Sequence, residues 1–267
     1  MARIVSLAAG TVLPLGPEAI IDVAAASGYR HVGLRLDPSA QPRGGWSVLH
    51  ERAVAAGVTI FDVEVVRLGV TPAREIDALV DAACELGATW LLTVSQDDDD
   101  ARTVAGLEGM VARCTAAGVP TRPALEFMAF TSVRTLADAL PMARAAAVGL
   151  VIDALHVHRN ATTTDQVARL MSEPGAPRCY LQVCDTNEWH MAPEELADEA
   201  RHRRRMPGTG ILPLAALLAA LPPETAVSAE VQSDELFASL GAREFALQCR
   251  RATEALVAPT SRTRSGY

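Results

Sequence analysis

Acidic and amide side chains end or interrupt four short apolar segments of this chain, and side chains of these types bind cations and transfer protons. The four residues are Glu126, Asp153, Gln182 and Glu230. A carboxylate buried within an apolar strand is unfavourable unless it is paired or holds a cation. Because four successive segments show the pattern, we expect them to converge on one point. Oxygen ligands of this kind suit one divalent ion, with Mg²⁺ or Mn²⁺ favoured over Zn²⁺ or Co²⁺.

Strand-like and helix-like segments alternate along almost the whole chain. The predicted strands cover 4–8, 31–36, 58–66, 89–95, 122–128, 149–154, 179–184 and 226–231. The predicted helices cover 17–27, 47–56, 72–86, 102–117, 133–147, 164–171, 214–221 and 234–257. This alternation predicts a parallel sheet with right-handed crossovers, and a closed (β/α)8 TIM barrel would bring the strand ends to one mouth. A doubly wound open sheet is less favoured, because no glycine-rich phosphate-binding motif follows the first strand.

Length and composition agree with one such barrel. The chain has 267 residues, of which 49% are hydrophobic, so we predict one domain over 1–257 and a disordered tail over 258–267. The net charge of -8 argues against nucleic acid or an anionic membrane as the main partner. No apolar run reaches the roughly 20 residues of a membrane span. Five scattered cysteines and an N-terminus unlike a signal peptide favour a cytoplasmic protein with free thiols.

Five short motifs carry a resemblance to a known family. They are LEFM at 125–128, DALH at 153–156, LQVCD at 181–185, MPGTG at 206–210 and AEV at 229–231. Together they resemble the sugar phosphate isomerase/epimerase branch of the xylose-isomerase-like TIM barrels, which includes ketose epimerases and several dehydratases. The resemblance covers residues 3–250 and is more specific for the superfamily than for a substrate.

The resemblance implies a role for each matching residue. Glu126, Asp153, Gln182 and Glu230 would bind one divalent metal ion, with Glu126 and Glu230 also acting as acid-base groups. His156 would contact the substrate. The family usually has a histidine where this chain has Gln182, and an amide oxygen is the weaker ligand for late transition metals. The resemblance therefore leaves the identity of the metal open.

The function implied is isomerisation or epimerisation of a keto-sugar or related polyhydroxy ketone, through α-proton abstraction and an enediolate. A metal-dependent dehydratase of the inosose or 3-dehydroshikimate type is the alternative, since it begins with the same proton abstraction. A non-catalytic subunit of a heteromeric enzyme is a further alternative. A DNA-repair nuclease is disfavoured, because the chain has only 6 histidines and is acidic.

Further residues are candidates for substrate contacts on position alone. Arg205 lies in a basic insert after the seventh strand, where TIM barrels often bind phosphate, and it could grip a phosphate or carboxylate. A solvated helix or a subunit contact would explain the same insert, so homo-oligomerisation stays open. Glu64 and Arg67 in the third strand are expected to face the mouth of the barrel.

Overall fold

The computed structural model describes residues 3–258, and its eight parallel strands form one closed barrel. Each strand pairs with the next in sequence, and the last pairs with the first. The strands are β1 Val5–Leu7, β2 His31–Arg35, β3 Thr59–Leu68, β4 Trp90–Ser95, β5 Arg122–Glu126, β6 Gly149–Asp153, β7 Cys179–Val183 and β8 Ala226–Ala229. The predicted (β/α)8 barrel is confirmed. Of the predicted tail, all but Ala258 lies outside the described residues.

Helices surround the barrel. They are α1 Pro17–Ala26, α2 Ser47–Ala55, α3 Ala73–Glu85, α4 Asp100–Ala116, α5 Leu136–Ala145, α6 Ala154–Arg159, α7 Thr164–Met171, α8 Leu196–His202, α9 Leu214–Ala219, α10 Asp234–Leu240 and α11 Ala242–Val257. Within the described part of the chain, no helix combines the length and apolar character needed to cross a bilayer.

The last helical segment differs from its prediction. The sequence pattern predicts one helix over 234–257, whereas the structure contains α10 and α11 with Gly241 between them. Gly241 has a φ of 72°, a left-handed conformation that glycine adopts without steric penalty and that ends a helix. Apolar periodicity continues across this break, so it does not reveal the change of direction.

Aromatic side chains close the N-terminal end of the barrel. The Tyr180 ring packs edge-on against Phe61 at a centroid distance of 5.2 Å and lies 5.6 Å from the Trp90 ring. All three side chains are buried and belong to the apolar cluster inside the barrel. The polar side chains described below are therefore directed to the opposite, C-terminal end.

Packing at this closed end leads to a stability prediction. A Cβ atom on Gly149 would lie 2.4 Å from Trp90 Cζ3 and 3.0 Å from the Arg178 carbonyl oxygen. Overpacking of this kind typically costs about 1–3 kcal/mol, so we expect Gly149→Ala to lower the free energy of unfolding by that amount in urea titrations.

The matched control is Gly109→Ala in α4, where an added Cβ has nothing within 4 Å. Replacing an exposed helical glycine with alanine should raise the free energy of unfolding by up to about 1 kcal/mol. Equal stabilities of the parent and Gly149→Ala would show that the aromatic end of the barrel is not close-packed.

Candidate active site

Strand register brings the four predicted ligand residues to the mouth of the barrel. Glu126 and Asp153 are the last residues of β5 and β6, and Gln182 on β7 is the register partner of Asp153. Gln182 also pairs with Ser228, two residues before Glu230, so alternation places Glu230 on the same inner face. All four side chains are buried.

His156 lies directly beside two of the carboxylates, Glu126 and Asp153. Within residues 3–258, Glu126, Asp153 and His156 form a group whose ligand atoms all lie within 4.8 Å of one another. The distance from His156 Nε2 to Glu126 Oε1 is 3.8 Å. Asp153 Oδ1 accepts hydrogen bonds from the backbone N–H groups of Leu155 and His156 at 2.7 and 3.1 Å. Asp153 therefore caps α6, and that first turn holds the imidazole in place.

A buried arginine that sequence analysis did not select joins two of the carboxylates. Arg204 Nη1 lies 2.6 Å from Asp153 Oδ2 and 3.3 Å from Glu230 Oε2. The Nε–H of Arg204 donates to the carbonyl oxygen of Ala200 at 2.6 Å, which fixes the plane of the guanidinium.

Arg205, the residue selected from the sequence, lies elsewhere. Its side chain is exposed. Its backbone N–H donates to the carbonyl oxygen of Asp185, and the backbone N–H of Asp185 donates to the carbonyl oxygen of Arg205, both at 2.9 Å. It lines an outer groove and not the mouth cavity. Neighbouring residues of an extended segment face opposite sides, and a wholly basic run contains no apolar residue to mark which side faces inward.

The segment that carries Arg204 is held by two further carboxylates. Asp185 accepts hydrogen bonds from the backbone N–H groups of Thr186, Gly208 and Leu212 at 2.9, 3.0 and 3.0 Å. Glu199 of α8 accepts from Arg159 Nε at 2.6 Å and from Thr186 Oγ1 at 2.8 Å. These contacts join α8 and the following loop to α6 and to the segment after β7, and so position Arg204.

Glu64 contributes to the mouth through a pair with Arg35. Its Oε1 accepts from the Gly10 backbone N–H at 3.2 Å, and its Oε2 forms an ion pair with Arg35 Nη2. Both residues line a mouth cavity of about 170 Å³, together with Glu126, His156 and Glu230. Glu64 therefore faces the cavity, as expected from the sequence.

Burial and charge separate the pKa values of these groups. Burial raises the pKa of Glu126 well above its usual value, and the negative charges of Glu230 and Asp153 raise it further. Burial also raises the pKa of Glu230 to about 8, although Arg204 opposes the change. For Asp153 the effect of burial is outweighed by Arg204 and His156, and its pKa falls to about 2. Burial lowers the pKa of His156 to about 4, so the imidazole is neutral at pH 7.

The donor set and its charge fit a divalent cation. The carboxylates buried on a strand or in the residue directly after one are Asp62, Glu64, Glu126, Asp153 and Glu230. Within the described chain, the arginines that form ion pairs with them are Arg35 and Arg204. Several buried nitrogen and oxygen atoms have no hydrogen-bond partner among the described residues. They are Glu126 Oε1, His156 Nε2, and Oε1 and Nε2 of Gln182. Clustered carboxylates repel unless a cation or protons balance them.

Comparison by sequence identifies a family but no individual relative. A family model described as xylose isomerase-like TIM barrel matches residues 21–248. Among curated proteins, none matches the chain significantly.

Solved structures show the same architecture at low sequence identity. The IolI protein with a bound zinc atom is 18% identical, with a TM-score of 0.77 over 96% of this chain and 98% of that chain. A xylose isomerase domain containing protein from Salmonella typhimurium is 17% identical, with a TM-score of 0.75 over 96% and 97%. A D-psicose 3-epimerase solved in the presence of D-fructose is 12% identical, with a TM-score of 0.68 over 97% and 100%. At these identities the likeness supports the fold alone.

The raised pKa of Glu230 gives a prediction for the metal-free protein. Between pH 6.5 and 8 the folded chain retains protons that the unfolded chain has released, so the free energy of unfolding should fall as pH rises. Each retained proton contributes up to about 1.4 kcal/mol per pH unit. His156 opposes this fall near pH 6.5, where the unfolded imidazole is about half protonated while the folded one, with its pKa of about 4, is neutral; its contribution fades toward pH 8.

Urea titrations of chelator-stripped protein at several pH values measure this slope. Glu230→Gln should flatten it, whereas Glu108→Gln on the exposed face of α4 should leave it unchanged. A parent slope of zero over this range would show that Glu230 is not held in a proton-retaining environment.

Proposed function

Because the chain belongs to the xylose isomerase-like TIM barrel family, we propose that it is a divalent-metal-dependent isomerase or epimerase acting on a keto-sugar or related polyhydroxy ketone. One observation carries the proposal. Two buried carboxylates, Glu126 and Glu230, line one cavity from β5 and from the residue that follows β8. Such an arrangement suits removal and return of a proton beside a carbonyl group.

The proposed metal ligands are Glu126, Asp153, Gln182 and Glu230, with His156 adjacent to the first two. Three carboxylates and an amide favour Mn²⁺ or Mg²⁺, while the nearby imidazole leaves Co²⁺ or Zn²⁺ as further candidates. When bound there, a divalent ion would polarise the substrate's carbonyl and neighbouring hydroxyl and stabilise the charge that develops as the α-proton leaves.

Glu126 and Glu230 are the proposed acid-base pair. Oε1 of Glu126 has no partner within residues 3–258, so it is available to accept a substrate proton. Glu230 is held by Gln232, whose Nε2 donates to Oε1 at 3.2 Å, and by Arg204 at Oε2. Their strands are separated by β6 and β7 in a ring of eight, so the carboxyl groups approach a bound substrate from different sides. Their raised pKa values allow either group to carry a proton near neutral pH.

His156 is proposed to orient the substrate. The imidazole is neutral and buried, and its ring meets the edge of Phe130 at a centroid distance of 5.4 Å. Packing fixes the ring, and its unpartnered Nε2 is available for a hydrogen bond with a substrate oxygen. Glu64 contributes through Arg35, which it holds at the wall of the same cavity.

Carboxylate-to-amide variants test the acid-base roles. Glu126→Gln and Glu230→Gln keep size and an oxygen ligand but cannot exchange protons, so we expect turnover to fall by about 10²–10⁴-fold. Wash-in of solvent deuterium at the α-carbon measures the step directly. Metal content by elemental analysis separates loss of the acid-base group from loss of the ion.

Two comparisons sharpen this test. His156→Ala should raise KM more than it lowers deuterium exchange, and Glu51→Gln on the exposed face of α2 should change neither. Exchange at the parent rate in both carboxylate variants would contradict the two-carboxylate mechanism. Appearance of enone absorbance with loss of water would instead assign the dehydratase reaction, which shares the same first step.

Gln182 gives a test of the metal site that does not depend on turnover. Gln182→His replaces an amide oxygen with an imidazole nitrogen, so affinity for Zn²⁺ and Co²⁺ should rise relative to Mg²⁺. Calorimetric titration of both proteins with each ion measures the change in preference. An unchanged order of affinities would show that this side chain is not a ligand.

A further inference from the structure

Four arginines line the mouth cavity, and they differ in whether an acidic partner is found among the described residues. Arg35 pairs with Glu64, and Arg204 pairs with Asp153 and Glu230. Arg67 near the end of β3 and Arg201 of α8 line the same cavity. Within residues 3–258, no ion pair or side-chain hydrogen bond is recorded for Arg67 or Arg201. The polar contacts of Arg67 are made by its backbone: its N–H donates to Thr71 Oγ1 at 3.0 Å, and its carbonyl oxygen accepts from the N–H groups of Val70 and Thr71 at 3.1 and 2.7 Å.

Arg67 and Arg201 differ in burial, since Arg201 is exposed at the rim of the cavity. Arg67 is half-buried, so part of its hydration shell is already lost. The guanidinium group of Arg201 stacks on the Phe130 ring, with its central carbon 5.7 Å from the ring centroid. Stacking uses the face of the guanidinium and leaves its N–H edge free. In addition, Nε of Arg35 is buried without a partner among the described residues. Three guanidinium groups thus present unused donors to one space.

Gathering these cations has an electrostatic cost. Burial, followed by repulsion from Arg35 and Arg201, lowers the pKa of Arg67. The four arginines outnumber the three carboxylates, Glu64, Glu126 and Glu230, that line the same cavity. An anion bound between the guanidinium groups would offset both the repulsion and the lost hydration.

We propose that the substrate carries an anionic oxygen group, a carboxylate or a phosphate, which Arg67 and Arg201 bind together with the free Nε of Arg35. The hydroxy-carbonyl end of the same molecule then faces Glu126, Glu230 and His156, and this half of the inference rests on the proposed function. Binding of the anion itself rests on the arginines alone.

Dimensions of the cavity agree with one compact ligand. Phe130 lies between the two ends of the site, 5.7 Å from the Arg201 guanidinium carbon and 5.4 Å from the His156 ring centre. A volume of about 170 Å³ is well below the roughly 300–1,000 Å³ of pockets that take drug-sized ligands. The anionic group and the reacting carbonyl are therefore expected to lie on one short carbon chain.

Anion binding can be measured without any turnover. The full chain is stripped of metal, the chelator is removed by dialysis, and inorganic phosphate and glycolate are titrated separately by calorimetry at low ionic strength. We expect saturable binding of at least one probe in the parent, and the tighter probe identifies phosphate or carboxylate as the group recognised.

The variants locate the binding site. Arg67→Gln and Arg201→Gln should each weaken the tighter probe by at least about tenfold, since each loses charge-assisted hydrogen bonds. Arg67→Lys keeps the charge but loses the fork of donors, and should retain part of the affinity. The control is Arg74→Gln on α3, whose side chain is 88% exposed and which should bind as the parent does. Circular dichroism confirms that each variant is folded.

The outcomes separate this inference from the proposed function. Absence of saturable binding in the parent, or equal affinity in the parent and Arg67→Gln, overturns the anion site whatever reaction is found. Binding that depends on Arg67 supports it even if deuterium exchange is never observed. In a later substrate screen, Arg67→Gln should raise KM more for anionic hydroxy-ketones than for neutral ketoses.

Discussion

Burial of several carboxylates at one end of the barrel is the constraint that organises this molecule. Glu64, Glu126, Asp153 and Glu230 lie where water cannot solvate them fully, and Arg204 is the arginine that reaches two of them. Like charges in such a place are tolerated only when positive charge or protons balance them. Much of the surrounding structure serves to keep that balance.

The supporting structure is itself built from buried polar contacts. The Asp185 carboxylate accepts hydrogen bonds from the backbone N–H of Thr186 and from those of Gly208 and Leu212 in the loop that follows Arg204. Gly210 is needed there, because a Cβ would lie 2.2 Å from the carbonyl oxygen of Thr186. Glu199 and Arg159 join α8 to the barrel in the same way. The guanidinium of Arg204 is thus positioned by contacts outside the site, and those contacts explain acidic residues that do not face the cavity.

The sequence predicts the barrel and the four strand-end side chains because both depend on local patterns. Apolar runs that alternate with amphipathic segments define the fold, and a carboxylate at the end of such a run marks the mouth. Arg204 could not be separated from Arg205 in this way, since the choice depends on a bridge to Asp185 on a distant segment. The position of His156 beside Glu126 likewise depends on how Asp153 caps α6, a detail of backbone geometry. Helix α8 lies in a polar insert whose order comes from the buried pair of Glu199 and Arg159.

The aromatic closure at the far end of the barrel also determines the order in which molecules enter and leave. Phe61, Trp90 and Tyr180 are packed across the other end of the interior, so an ion held among the carboxylates would exchange with bulk water through the cavity that a substrate would fill. In a cavity with one opening, the ligand that binds last dissociates first. An ion bound at the proposed site would therefore bind before the organic ligand and leave after it, and the bound ligand would slow release of the ion without adding any bond to it.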